Sequence, residues 1–299
     1  MMVALGYSPF GEVFAEAADR RVLKPECVWR AARIVYPPEE LAELVRCTDP
    51  EQASEALRRA LAALNEIWRE RLAVPWVGGE MVEPEILRLA DLVRARHAKL
   101  RFSDLPDGIC WILHQLPLDR ADGDFVRDWV ATGEPRVILN CRDPRDVLLS
   151  MVEFLSDDRR RRVGGFPEHL AYAEILRPIA SLEERLTIAL TDPCFPGARS
   201  FEDALWLRRH PRVCTVTFED LVGPAGGGSE QRQVDAVRRV TQFLDQDVDP
   251  RVVAEKIFNR DSFTFRSGRV GRWREVFTSR HIELFERRHG AVLDAYHYA

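Results

Sequence analysis

Apolar positions along this chain follow two patterns: a helical repeat of threes and fours, and a set of short continuous runs. The repeat is clearest after Thr48, where Ala53, Ala56, Leu57, Ala60, Leu61, Leu64, Ile67 and Trp68 share one face. Arg58, Arg59, Glu66 and Arg69 fall largely elsewhere. Thr48, Asp49 and Pro50 supply a cap and a first-turn proline. Pro84 starts another helix towards Arg96, and EVFAEAAD and EELAELVRC also read as helical. Residues 232 to 244 carry Val234, Val237, Val240, Phe243 and Leu244 towards a core. Residues 279 to 294 do the same with Ile282, Leu284, Phe285 and Leu293. The continuous runs predict strands: MVALGY at 2 to 7 before a turn at SPFG, ARIVY at 32 to 36, RVILNC at 136 to 141 and RVCTVTF at 212 to 218. Asp143, Pro144 and the third-position carboxylate Asp146 then predict a helix to about Phe154. GPAGGGSEQ, 223 to 231, reads as a surface loop.

Strand followed by helix, repeated, predicts an α/β protein: a central, mostly parallel sheet flanked by helices. The helices at about 48–96 would form an insert in the N-terminal half. A length of 299 residues suits a single domain over 1–299. The net charge of -5 gives no support for non-specific nucleic-acid binding. No run approaches the roughly 18 apolar residues of a membrane span. The start lacks the basic flank of a signal peptide. Six scattered cysteines without a CxxC predict reduced thiols, no metal knuckle and a cytoplasmic setting. Oligomeric state is not legible.

The densest chemistry lies at Arg142 to Ser150. Arg142 sits where a strand would end and a helix begin, the place where α/β sheets bind ligands. Its guanidinium suits a phosphate, and Ser150, two turns on, would add a hydroxyl. The alternative is that Arg142 and Arg145 pair with Asp143 and Asp146, leaving Ser150 an ordinary polar position. GxxxxGK[ST], GxGxxG and GxSxG are absent. No histidine–carboxylate cluster argues for a metal.

The segment RDPRDVLLS resembles the 3'-phosphate-binding segment of the PAPS-dependent sulfotransferase family. There the arginine and serine matching Arg142 and Ser150 contact the phosphate. The stretch from Phe265 to Thr278 is similar to the family's C-terminal RKGxxGDWKxxF segment. Arg266, Gly268, Gly271, Trp273 and Phe277 match, while Ser267 and Arg272 depart from it. The segments at 206 to 221 and from Phe277 to Tyr298 are similar to its late strand and closing helix. The resemblance covers about residue 97 to the end.

It implies a sulfotransferase that takes 3'-phosphoadenosine 5'-phosphosulfate, releases adenosine 3',5'-bisphosphate and modifies a small hydroxylated acceptor. Arg142, Ser150, Arg266 and Gly268 would hold the nucleotide. The family's 5'-phosphosulfate loop has its nearest match at Leu5 to Phe14, with Gly11 as the cradle glycine. This match lacks the basic residue, and Glu12 would oppose a phosphate. The departure admits a second reading, an inactive nucleotide-binding or structural relative. His114, in an HQLP segment resembling the family's THLP, would be the general base. His97 and Lys99 are the next candidates. The acceptor pocket would come from the N-terminal half and from loops at 155 to 200.

Overall fold

The computed structural model describes residues 1–11, 25–73, 82–97, 100–105, 108–113, 116, 118–157, 167–197, 200–258 and 268–298. Two compact units divide the chain, one built essentially from residues up to Pro135 and the other from Arg136 onward.

In the first unit β1 is Ser8–Gly11, followed by α1 at Pro25–Val35, α2 at Pro38–Arg46, α3 at Pro50–Arg71 and α4 at Pro84–Arg96. Then come β2 at Ile109–Ile112 and α5 at Gly123–Thr132. Asp49 caps α3 by accepting from the amides of Glu51 and Gln52, and Pro50 occupies the first turn. The apolar face expected on α3 is the one buried: Ala60, Leu61, Leu64, Ile67 and Trp68 are all shut from solvent. It packs against α1 and α4. Trp68 receives Phe102 and Phe125 edge-on, with ring centroids 4.8 and 5.9 Å away. β1 and β2 pair in parallel, Ser8 opposite Ile109 and Gly11 opposite Ile112.

The second unit opens with β3 at Val137–Cys141, α6 at Pro144–Leu155, α7 at Pro167–Leu176 and α8 at Leu182–Thr191. α9 is Ser200–Asp203, α10 Leu205–Arg209, β4 Val213–Thr217 and α11 Phe218–Leu221. The last four helices are α12 at Glu230–Phe243, α13 at Pro250–Ile257, α14 at Trp273–Val276 and α15 at Ser279–Tyr296. β3 and β4 pair in parallel from Val137 opposite Val213 to Cys141 opposite Thr217. The main core joins Leu148, Leu149, Val152 and Leu155 of α6 to Leu186 and Leu190 of α8 and to Phe285 and Leu293 of α15. Each such side chain contributes about 1.5–3 kcal/mol of burial.

This architecture corrects the expected α/β fold. Among the described residues helices dominate, and the strands form two separate two-stranded sheets, not a central sheet. Several local readings change with it. Val3–Leu5 is a 3-10 turn closed by Gly6 in the left-handed region at φ 84°, and the strand begins where the turn was expected. ARIVY lies at the end of α1 and just beyond it. Val28, Ala31, Ala32 and Val35 are buried at helical spacing, a period that the five-residue run does not reveal alone. β2 was not anticipated. The region from 155 to 200, read as loops, carries α7 and α8. The EVFAEAAD segment falls outside the described residues.

Candidate functional site

The site is built from the start of α6. Asp143 caps this helix, its Oδ1 accepting from the Arg145 amide at 2.9 Å. The same carboxylate takes two bonds from the Arg145 guanidinium, at 2.9 and 2.8 Å, and one from the Trp273 indole at 3.0 Å. The Arg145 guanidinium carbon lies over the Trp273 ring, 3.9 Å from its centroid. Asp146 has no exposed side-chain surface. Such a carboxylate requires donors. It finds them in the amides of Gly271, at 2.7 Å, and Trp273, at 2.9 Å. Gly271 holds φ 70°, a conformation that costs glycine little. Asp146, expected to serve the start of its own helix, instead fastens a segment far along the chain.

β4 leads into α11, where Glu219 bridges two elements. Its Oε1 accepts from the Asp143 amide at 3.0 Å, and its Oε2 from the Tyr298 hydroxyl at 2.7 Å. The Tyr298 carbonyl accepts from Arg145 at 2.7 Å. Burial, followed by the bond to Glu219, pushes the Tyr298 phenol well above its ordinary pKa. Arg208 donates to the carbonyls of Ala295 and Tyr296 at the end of α15. Burial also raises the Cys141 thiol beside it. On the flank, Arg272 makes a two-pronged pair with Glu153, and Arg269 meets Glu275 at 2.9 Å. A Cβ on Gly226 would lie 2.1 Å from the Gly268 carbonyl, so only glycine allows these backbones to meet.

Arg142 stands at this corner with its charge less fully used. The guanidinium carbon lies 4.3 Å from the Phe218 ring centroid. One Nη2 donates to the Arg269 carbonyl at 2.9 Å and lies 3.5 Å from Asp146. The Nε is buried and has no hydrogen-bond partner. Arg145 pairs with Asp143, and Arg142 comes within 3.5 Å of Asp146.

The other expected site residues are dispersed. Gly268 lies in the segment that Arg142 touches through Arg269. Ser150 is half-buried on α6. Gly11 ends β1 in the first unit. His97 follows α4, exposed, with its amide bonded to the Val93 carbonyl. His114, Arg266 and Lys99 fall outside the described residues. Sequence reasoning missed Phe218 and Glu219 as parts of this corner. An acidic pair directly after a strand was the available signal.

Among the described residues no group of three or more His, Cys, Asp or Glu side chains is placed to hold a metal ion. No helix among them is long and apolar enough to cross a membrane. No protein-family model and no curated protein matches the chain. Together with the helix-dominated fold, this overturns the resemblance to PAPS-dependent sulfotransferases and the sulfuryl-transfer activity it implied. The inactive nucleotide-binding alternative and the expected donor, 3'-phosphoadenosine 5'-phosphosulfate, fall with it. The physical reason lies in the same corner. The amides of Asp143 and Arg145 at the start of α6 are already taken by Glu219 and Asp143, and three carboxylates surround the arginines. Those two amides are therefore not free to cradle a phosphate.

Proposed function

We propose that this protein binds a small oxyanion-bearing molecule, with Arg142 as the charged anchor. The observation that carries the reading is the Arg142 guanidinium, held on Phe218 with a buried Nε that has no hydrogen-bond partner. The Arg142 side chain keeps 20% of its surface exposed, and an anion would meet that part of the guanidinium. Ser150 and the backbone at Gly268 are the next contacts on this reading. The net charge of -5 argues against a nucleic-acid partner, so the ligand is a small molecule. The scattered cysteines, with no CxxC among them, are the ground for reading the setting as reducing and cytoplasmic.

Calorimetric titration with acetate and with inorganic phosphate tests the reading. Arg142→Ala should weaken binding by about 2–5 kcal/mol if the contact is desolvated, with Arg142→Lys in between. Equal affinity in the parent and Arg142→Ala would leave the corner a purely structural clasp.

A further inference from the structure

We infer that the segment beyond α15 is an autoinhibitory strap: Tyr298 and Glu219 fill, from within the chain, hydrogen-bonding places at the start of α6 that an external carboxylate would take once the strap lifts. The inference does not depend on Arg142 as an anion anchor. Two donors meet at this helix start. The Asp143 amide donates to Glu219 Oε1 at 3.0 Å. Arg145 Nη2 donates to the Tyr298 carbonyl at 2.7 Å as well as to Asp143 Oδ2 at 2.8 Å. A helix start with an arginine beside it favours negative charge. Glu219, on α11, brings that charge from inside the molecule. The Tyr298 hydroxyl closes the arrangement by donating to Glu219 Oε2 at 2.7 Å. Burial keeps this phenol protonated, so it remains a donor. One residue thus engages Arg145 with its backbone and Glu219 with its ring.

The attachment of Tyr298 suits a part that lifts. The chain turns back through His297 at φ 61°, in the left-handed region that penalises a residue with a side chain. The Tyr298 amide is tied to the Leu293 carbonyl at 2.9 Å, and its side chain is half-buried. Such a turn opens at lower cost than the buried face of α15 that precedes it. Lifting it would free the Arg145 donor and leave Glu219 without its phenol, open to competition from another carboxylate.

Two measurements on the full chain test this. Tyr298→Phe keeps the ring and removes the hydroxyl. Hydrogen exchange at the Asp143 amide should then quicken by roughly tenfold, while the Val147 amide, bonded within α6 to the Asp143 carbonyl, keeps its rate. Glu219→Ala should melt at a lower temperature than the parent. Formate at about pH 7 should restore part of that loss, and sodium chloride at equal ionic strength should not. The parent is the control, because formate held by Arg142 would raise both melting temperatures alike. Parent-rate exchange at Asp143 in Tyr298→Phe overturns the inference. So does a formate gain no larger in Glu219→Ala than in the parent. Should Glu219→Ala not fold, the exchange measurement on Tyr298→Phe decides alone.

Discussion

His289 gives the sharpest test of how the second unit is built. The ring lies on α15, 3% exposed, with Phe285 at 5.0 Å and Phe201 at 6.1 Å between centroids. Its Nδ1 is buried without a hydrogen-bond partner. Burial, and then the neighbouring Arg288 charge, push its pKa from 6.5 down to about 4. The folded state therefore holds the ring neutral where the unfolded chain would protonate it. The stabilisation is present above about pH 6.5 and is lost as pH falls through about 4. A depression of this size corresponds to about 3 kcal/mol at full value, and about 1–2 kcal/mol after allowance for solvent screening. Urea unfolding of the parent and of His289→Phe at pH values from about 7 to 4 measures it. Carboxylates lowered in the fold, such as Asp122 and Asp192, titrate in both proteins and cancel in the difference. The parent should lose about 1–2 kcal/mol relative to the variant across this range. A difference that stays constant with pH would refute the reasoning.

Asp146→Asn removes one acceptor from two buried amides and a charge from Arg142; a loss of about 2–4 kcal/mol is expected in denaturant unfolding, and a loss below about 0.5 would contradict its role as fastener. Gly226→Ala forces a methyl against the Gly268 carbonyl and Val222, and should cost about 1–3 kcal/mol in a thermal melt; an unchanged melting temperature would mean the backbones are free to separate. Leu149→Ala, at a position 1% exposed, should cost about 2–5 kcal/mol, whereas Val45→Ala, 65% exposed, should stay within about 0.5; similar costs for both would argue against the assigned core.

What the sequence made legible was local. The helix at Pro50–Arg71 announced itself through a sustained 3.6-residue period and an Asp-Pro start, and the cap at Asp143 did the same. ARIVY failed because five apolar residues suit a strand or a buried helical turn equally well. A strand's local pattern also says nothing of how many partners it will find. RVILNC reads the same at the centre of a broad sheet as in a pair with one neighbour, and among the described residues its partner is β4. At the site, the clustering of Arg142, Asp143, Arg145 and Asp146 was visible, but its purpose was not. Asp146 meets Gly271 and Trp273, which lie 125 and 127 residues away, and no local spacing encodes that choice. Two motif likenesses in the right order therefore suggested a family whose central sheet is not found among the described residues.

The bond from Arg145 to the Tyr298 carbonyl spans 153 positions, and that from Glu219 to the Tyr298 hydroxyl spans 79. Closing such loops costs entropy before any contact returns it, and the cost rises with the logarithm of length. Contacts of this range form late in folding, after the nearer helices have paired. The segment beyond α15 thus acts as the last stitch of the second unit. Hydrogen exchange begun at intervals during refolding should show the Asp143 amide, which Glu219 covers once β3 and β4 have paired, gaining protection after the amides within α6 and α12. A ligand that recognises the finished Arg142 edge would then report completed folding, not merely helix content.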